Sequence, residues 1–370
     1  MPAAPLHPID HVGSFVRPPE LKDAWHRNEA GEVSDDALRA VQDRAIRDAV
    51  AMQEELGLPR VTDGEFRRGG WSRGFLAAVS GFDFRPSRLT FRNDEGFSTP
   101  APAPVAAAPL RRTRPIVTDD FVFLDGIAPG RAKVTMPTPS HFHFGQFRQD
   151  AYPDERVFWD DLIGIYRNEI AELYAAGCRH LQLDEVPLPL LCDENIRGIV
   201  RDEGYDPDAL VGLYVDALNR AVADRPPDMT IAVHLCRGNM EGLWMGQGGY
   251  EPIAERLFND AKVDAFLLEY DSPRAGDFAP LRHLPAGKRA YLGLISSKKP
   301  VVEESDALMR RLDEAARHAP LDRLGLCPQC GFGSAAMSKF AVLASPITAE
   351  LQRAKLARLV EVGTRAWGQA

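Results

Sequence analysis

Eight short apolar runs punctuate this 370-residue sequence, and each is followed by a helical stripe or a crossover. They begin near residues 9, 60, 132, 180, 230, 265, 290 and 324. Such alternation predicts parallel strands joined by helices. The helices announce themselves at their ends. Ser34 is placed to cap a helix whose apolar residues Leu38, Val41, Ala45, Ala49, Met52 and Leu56 recur at helical spacing until Gly57 stops it. Further helices are expected over 154–176, 207–223, 251–260 and 303–318, and onward from Ser334 and from Thr348. The expected fold class is α/β, a (β/α)8 barrel of TIM type forming a single domain over 1–370. An open doubly wound sheet is the alternative, but no Gly-rich dinucleotide fingerprint follows any strand.

One region breaks the rhythm. Gly81-Phe-Asp-Phe-Arg85, Leu89-Thr-Phe-Arg92, Ile116-Val117 and Phe121-Val-Phe-Leu124 read as short alternating strands. Between them the Pro/Ala-rich tract 98–109 reads as a loop. We expect a β-hairpin insertion after the second strand, over about residues 80–130.

Composition narrows the function. At 45% hydrophobic the chain can bury a large core, and its formal net charge of -9 argues against a general nucleic-acid binder. Residues 1–8 lack an export signal, and no segment offers the ~20 apolar residues of a membrane span. Five cysteines, an odd number, point to reduced thiols in the cytoplasm. Cys178 and Cys192 flank a strand and read as packing residues. Whether the chain forms a homo-oligomer is left open.

The chemistry gathers at strand ends. In Thr230-Ile-Ala-Val-His-Leu-Cys236, His234 and Cys236 lie two apart, so both project from one face of a strand end. An imidazole and a thiol together suit a borderline cation such as zinc. Alone the pair arises often by chance. Glu269 closes the next apolar run, however, and Cys327-Pro-Gln-Cys330 closes the last. Carboxylates sit at two other ends, Asp63 and Glu65 after the second run, Asp184 and Glu185 on the fourth. Asp184 and Glu185 point to opposite faces, so only one can line a central site. Gly13 and Ser14 form a turn after the first run. Trp71, Phe75, His141 and His143 are read as walls of a pocket, the two histidines standing outside the metal set.

These motifs resemble the catalytic barrel of the cobalamin-independent methionine synthases, especially short bacterial paralogues without the N-terminal barrel. The carriers are His11-Val-Gly-Ser-Phe15, Val61-Thr-Asp-Gly-Glu-Phe-Arg-Arg68, Gln182-Leu-Asp-Glu185, Val233-His-Leu-Cys236, Leu268-Glu-Tyr270 and Pro328-Gln-Cys-Gly-Phe332. The resemblance implies a zinc ion held by His234, Cys236, Glu269 and Cys330. It implies an amino-acid thiol, homocysteine above all, held by the Gly13–Ser14 turn, Glu65 and Asp184, with Glu65 and Asp184 serving the reaction. Cys327 stands where a serine is expected in relatives, which points to packing. The implied activity is methyl transfer to the thiol, giving methionine. A free thiol of pKa about 8.5 is mostly protonated at neutral pH, and zinc ligation would deprotonate it. Three anionic ligands around a divalent cation would keep that sulfur nucleophilic.

The resemblance implies methyltetrahydrofolate as donor, with an acid histidine after the seventh strand. Here that loop reads Leu294-Ile-Ser-Ser-Lys-Lys-Pro300, without one, and Ser140-His-Phe-His143 replaces an expected tryptophan. A methyl-corrinoid, or another electrophile such as an epoxide joined to another thiol, are the alternatives. A non-catalytic zinc protein is disfavoured, because structural sites use close ligand pairs whereas these ligands spread over roughly 100 residues.

Overall fold

The computed structural model describes residues 6–333, 337 and 345–368; the helix expected from Ser334 begins outside them. Helices α1 (Pro19–Glu29) and α2 (Asp35–Glu55) come first. Ser34 caps α2 as expected, its hydroxyl accepting from Ala37 N at 3.2 Å. Helix α3 (Arg73–Ala78) then leads into strands β1 (Val79–Arg85), β2 (Thr90–Arg92), β3 (Ser98–Pro100) and β4 (Ala103–Arg112), followed by helix α4 (Thr118–Ile127).

This stretch departs from the sequence expectation in three places, the first being Ile116 and Val117, which form a bend before α4 rather than a strand. The tract 98–109 is not a loop, because β3 pairs antiparallel with β2 and β4 with β1. A strand with one partner tolerates proline, whose missing N–H is needed only on the paired side. Gly81 marks an irregularity in the ribbon at φ 108, and a Cβ there would lie 2.6 Å from the Ala108 carbonyl. Phe121–Leu124 is helical rather than extended. Asp119 and Asp120 occupy the first turn of α4, which suits its positive end, and Phe121 and Leu124 bury one face three residues apart.

Six strands then build one parallel sheet: β5 (Val134–Pro137), β6 (His180–Glu185), β7 (Thr230–Leu235), β8 (Ala265–Glu269), β9 (Arg289–Ile295) and β10 (Leu324–Pro328). Their spatial order is β10-β9-β8-β7-β6-β5, every pair parallel. Nearly all their residues are buried, which is why they read as unbroken apolar runs. Helix α5 (Glu155–Ala175) joins β5 to β6, and α6 (Pro187–Leu190), α7 (Glu194–Asp202) and α8 (Pro207–Ala221) join β6 to β7. Helix α9 (Glu251–Asp260) precedes β8, α10 (Ser305–Ala315) precedes β10, and α11 (Ala349–Trp367) follows it.

Eight strands were expected; the sheet has six. The first two runs are reduced to single parallel bridges, Ile9 with Leu326 beside β10 and Val61 with Ala132 before β5. Each sits at one end of the sheet. Between these runs, Phe15 N donates to Gly64 O at 3.1 Å and Thr62 Oγ1 to Gly13 O at 2.7 Å.

Alternate residues of the sheet face two different interiors. Leu181, Leu183, Val233, Leu235, Phe266 and Leu268 belong to the main apolar core with the helices. The opposite face holds a smaller cluster of Val12, Ala232, Ala265, Leu267, Tyr291 and Cys327. On that face Lys133 is buried, donating to Asp10 Oδ1 at 2.7 Å, to the His11 carbonyl and to Gln182 Oε1 at 3.1 Å. Among the described residues no helix is long and apolar enough to cross a membrane.

Two histidines make this interior sensitive to acid. Burial, reinforced by Lys133, lowers the pKa of His11 to about 4, and burial with Arg60 lowers His180 to about 3. The unfolded chain, with histidines near 6.5, binds more protons between those values, so stability falls as pH drops from about 6.5 toward 4. For His11 the loss is on the order of 3 kcal/mol. Urea unfolding at pH 7 and pH 4.5 should show the lower midpoint at pH 4.5, with part of the difference removed by His11→Asn. Equal stability at both pH values would contradict this reading.

Candidate metal centre

Parallel strands deliver their C-terminal ends to one side, so residues remote in sequence converge there. In register, Asp184 of β6 pairs with His234 of β7. Cys236 follows β7 directly, and Cys330 lies two residues beyond β10. The ligand atoms of His234, Cys236 and Cys330 all lie within 4.8 Å of one another, and all three residues are buried. Among the described residues neither ring nitrogen of His234 has a hydrogen-bond partner, and both are buried. Burial alone would depress this imidazole, but the Cys236 sulfur and the Asp184 and Glu269 carboxylates outweigh it and raise its pKa. The Cys330 sulfur and burial push the Cys236 thiol well up. A soft N and S donor set with unpartnered imidazole nitrogens fits a zinc ion.

Glu269 does not join that three-residue cluster. Its carboxylate is fully buried and turned toward cations. Arg237 N donates to Oε2 at 2.8 Å and Gln329 Nε2 at 3.3 Å, while Lys298 Nζ lies 3.8 Å away. Oε1 has no hydrogen-bond partner, with Arg274 3.5 Å distant. These cations hold the Glu269 pKa down against the opposing effect of burial. Cys327 sits below the cluster among apolar residues, its thiol pushed well up by burial.

The same cavity is lined by Ser14, Glu65 and Asp184 together with His234, Cys236 and Cys330. Gly13 stands at φ 123, and a Cβ there would press within 3.2 Å of Thr62 and 3.3 Å of Thr135. Gly331 gives Ser14 its space, since a Cβ would meet the Ser14 side chain at 2.6 Å. Glu65 adopts φ 61, a strained conformation for glutamate of the kind often held at functional sites. Its Oε1 accepts from Thr135 Oγ1 at 3.2 Å, with Arg68 3.5 Å away, while Oε2 is buried without a partner. Asp184 Oδ1 accepts from Gln182 Nε2 at 2.7 Å. Burial raises its pKa to about 6; the Glu65 charge adds to this and the His234 ring opposes it. Glu185 faces away from the cavity, accepting from Ser140 Oγ at 2.6 Å and Leu188 N at 2.8 Å.

Two aromatic expectations need correction. His143 is no pocket wall: it is fully buried among Phe147, Trp159 and Tyr214, bonded to the Tyr214 hydroxyl at 3.0 Å. Phe75 is likewise core, stacked on Phe142. Both fall on faces that pack against helices. Trp71 and His141 do line a cavity.

Sequence reasoning missed Arg17. Nothing in its sequence context marks it, yet its buried guanidinium ties three loops together. It donates to Ser14 Oγ and Phe15 O at 2.9 Å, to Gly333 O at 2.7 Å and to Glu65 O at 2.7 Å. No motif signals an arginine whose partners are carbonyls. Arg17→Met should leave these acceptors unpaired and cost on the order of 3 kcal/mol in urea unfolding, and Arg17→Lys should not restore it, for want of the planar fork. A loss below about 1 kcal/mol would contradict the tie.

Comparisons with known proteins show which family the chain resembles. Residues 8–344 match the family described as cobalamin-independent synthase, catalytic domain. The chain is 37% identical over 363 residues to the uncharacterized protein YxjH of Bacillus subtilis, across 97% of this chain and 94% of that one. A Listeria monocytogenes structure, provisionally assigned as a vitamin-B12 independent methionine synthase, is similar at TM-score 0.76 and 32% identity, covering 99% of both chains. The 5-methyltetrahydropteroyltriglutamate–homocysteine methyltransferase of a Synechococcus is 23% identical over 329 residues, 88% of this chain but 40% of that one. This chain therefore belongs to the cobalamin-independent methionine synthase family and matches its catalytic domain.

Proposed function

We propose that this chain is a zinc-dependent thiol S-methyltransferase, with homocysteine as acceptor and methionine as product. The observation that carries it is the convergence of His234, Cys236 and Cys330 on the cavity that Ser14, Glu65 and Asp184 line. The whole chain is taken as one catalytic unit. The two bridged segments and the bonds between them support closure of the sheet into an eight-stranded barrel.

His234, Cys236 and Cys330 would hold the zinc, with Glu269 as a fourth ligand if its carboxylate turns from Lys298. Bound there, zinc would lower the pKa of a substrate thiol and so supply a sulfur nucleophile at neutral pH. The other residues orient the amino-acid end. Glu65 Oε2, buried and unpartnered, and the Asp184 carboxylate offer acceptors to an ammonium group. Ser14 Oγ accepts from Arg17, which leaves its own proton to donate to a substrate carboxylate. Anchoring both ends would hold the sulfur for attack along one line. The methyl donor in this reading is methyltetrahydrofolate or a methyl-corrinoid.

His234→Ala and Cys330→Ser should lower zinc below one equivalent and abolish thiol alkylation while circular dichroism stays unchanged. Full zinc and full activity in either variant would remove that residue from the ligand set. Asp184→Asn should weaken homocysteine binding at least tenfold, about 1.4 kcal/mol, without loss of zinc. Unchanged affinity would place the acceptor elsewhere.

A further inference from the structure

Around the end of β8, Glu269 Oε1, Lys298 Nζ and Asp271 Oδ1 are each buried without a hydrogen-bond partner among the described residues. Buried charged groups left half-satisfied call for a physical reason. We propose that Lys298 is shared between two carboxylates, so that Asp271 holds it whenever Glu269 turns to the metal. Lys298 and Asp271 are then positioning residues for Glu269. The inference rests on the zinc site of the proposed function and names the exchange that lets Glu269 complete it.

The loop after β9 fixes the lysine between the two acids. Ser296 Oγ donates to Asp271 Oδ2 at 2.6 Å and accepts from Lys298 N at 3.2 Å, so one hydroxyl joins Asp271 to the lysine backbone. On the other side Ser297 Oγ donates to Gln329 Oε1 at 2.8 Å, and Gln329 Nε2 donates to Glu269 Oε2 at 3.3 Å. Lys298 Nζ lies 3.8 Å from that same Oε2, close enough to pair by charge and too far to hydrogen-bond. The lysine side chain is only 5% exposed, so little water reaches it to replace a lost carboxylate. Burial disfavours the charge on both Glu269 and Asp271, and Lys298 is the strongest influence favouring it on each.

Turning Glu269 away costs each neighbouring cation something different. Arg237 keeps the Gly248 carbonyl, to which its Nη2 donates at 2.6 Å, and Arg274 keeps the Trp244 ring, 5.1 Å from its centroid. Lys298 has no ion pair but that with Glu269 among the described residues. A buried ammonium stripped of its carboxylate is strongly unfavourable, so without Asp271 the lysine would hold Glu269 back. With Asp271, whose Oδ1 is open, the exchange moves one ion pair sideways and strands no charge.

Zinc affinity of the full chain, read by competition with a chromophoric chelator, tests this without an activity assay. Asp271→Asn keeps an acceptor for Ser296 but not the charge, and should weaken zinc about tenfold or more. Adding Lys298→Met should return the affinity to within about threefold of the unaltered protein, because no ammonium is left stranded. In a Glu269→Gln background Asp271→Asn should change zinc affinity less than about twofold, since no carboxylate is left to exchange. Zinc affinity untouched by Asp271→Asn, or weakened equally in the Glu269→Gln background, would overturn the proposal. Lys298→Met alone should bind zinc no more weakly than the unaltered protein, and a loss of about tenfold there would overturn it independently. The expected pattern in a protein whose zinc shell ignores homocysteine would support the exchange and count against the thiol reading alone.

Discussion

A buried ammonium inside the sheet is the constraint from which the site follows. Lys133 stands just before β5 with 3% of its side chain exposed. A charge so placed is tolerated only when paired and hydrogen-bonded. Asp10 supplies the counter-charge from the first run, and its pKa is lowered, Lys133 outweighing the rise that burial would bring. Gln182 of β6 accepts from the same ammonium, and its amide donates both to Val12 O at 2.8 Å and to Asp184 Oδ1 at 2.7 Å. One network therefore spans the first, third and fourth runs and ends on a carboxylate of the cavity. It couples strand position to site geometry through four side chains.

Above that network the loops are held by cations rather than by apolar contacts. Arg17 gathers the segments carrying Ser14, Glu65 and Gly333, and Arg68 donates to Thr135 O and Oγ1 at 2.9 Å while facing Glu65. Lys298, Arg274 and Arg237 surround Glu269. The contrast between Glu269, drawn to cations, and His234, with both nitrogens unpartnered, separates two kinds of candidate ligand. The three-residue cluster is preorganised by the ends of β7 and β10. Glu269 would have to exchange its present partners to join it.

Much of this was legible because fully buried parallel strands leave continuous apolar runs, and because the candidate metal donors at their ends keep strand spacing. His234 and Cys236 could be paired from a two-residue step alone. Alternation set Asp184 and Glu185 on opposite faces, and one faces the cavity while the other faces Ser140. Local signals failed where tertiary partners decide. The prolines of β4 looked like a loop until β1 supplied a single partner strand. Phe121 and Leu124 fit a strand or a helix in so short a window. Arg17 left no trace because carbonyl acceptors have no sequence signature, and His143 looked available because nothing local reveals Tyr214 and Trp159 around it.

The central claim is that a thiol substrate meets a cation at His234, Cys236 and Cys330. Zinc-edge X-ray absorption of the purified protein, with and without homocysteine, addresses it directly. The account predicts about one zinc per chain, with nitrogen and sulfur neighbours from the protein and one more sulfur scatterer once homocysteine is added. A protein that carries no zinc and cannot be loaded with it, or a zinc shell unchanged by homocysteine, would contradict it.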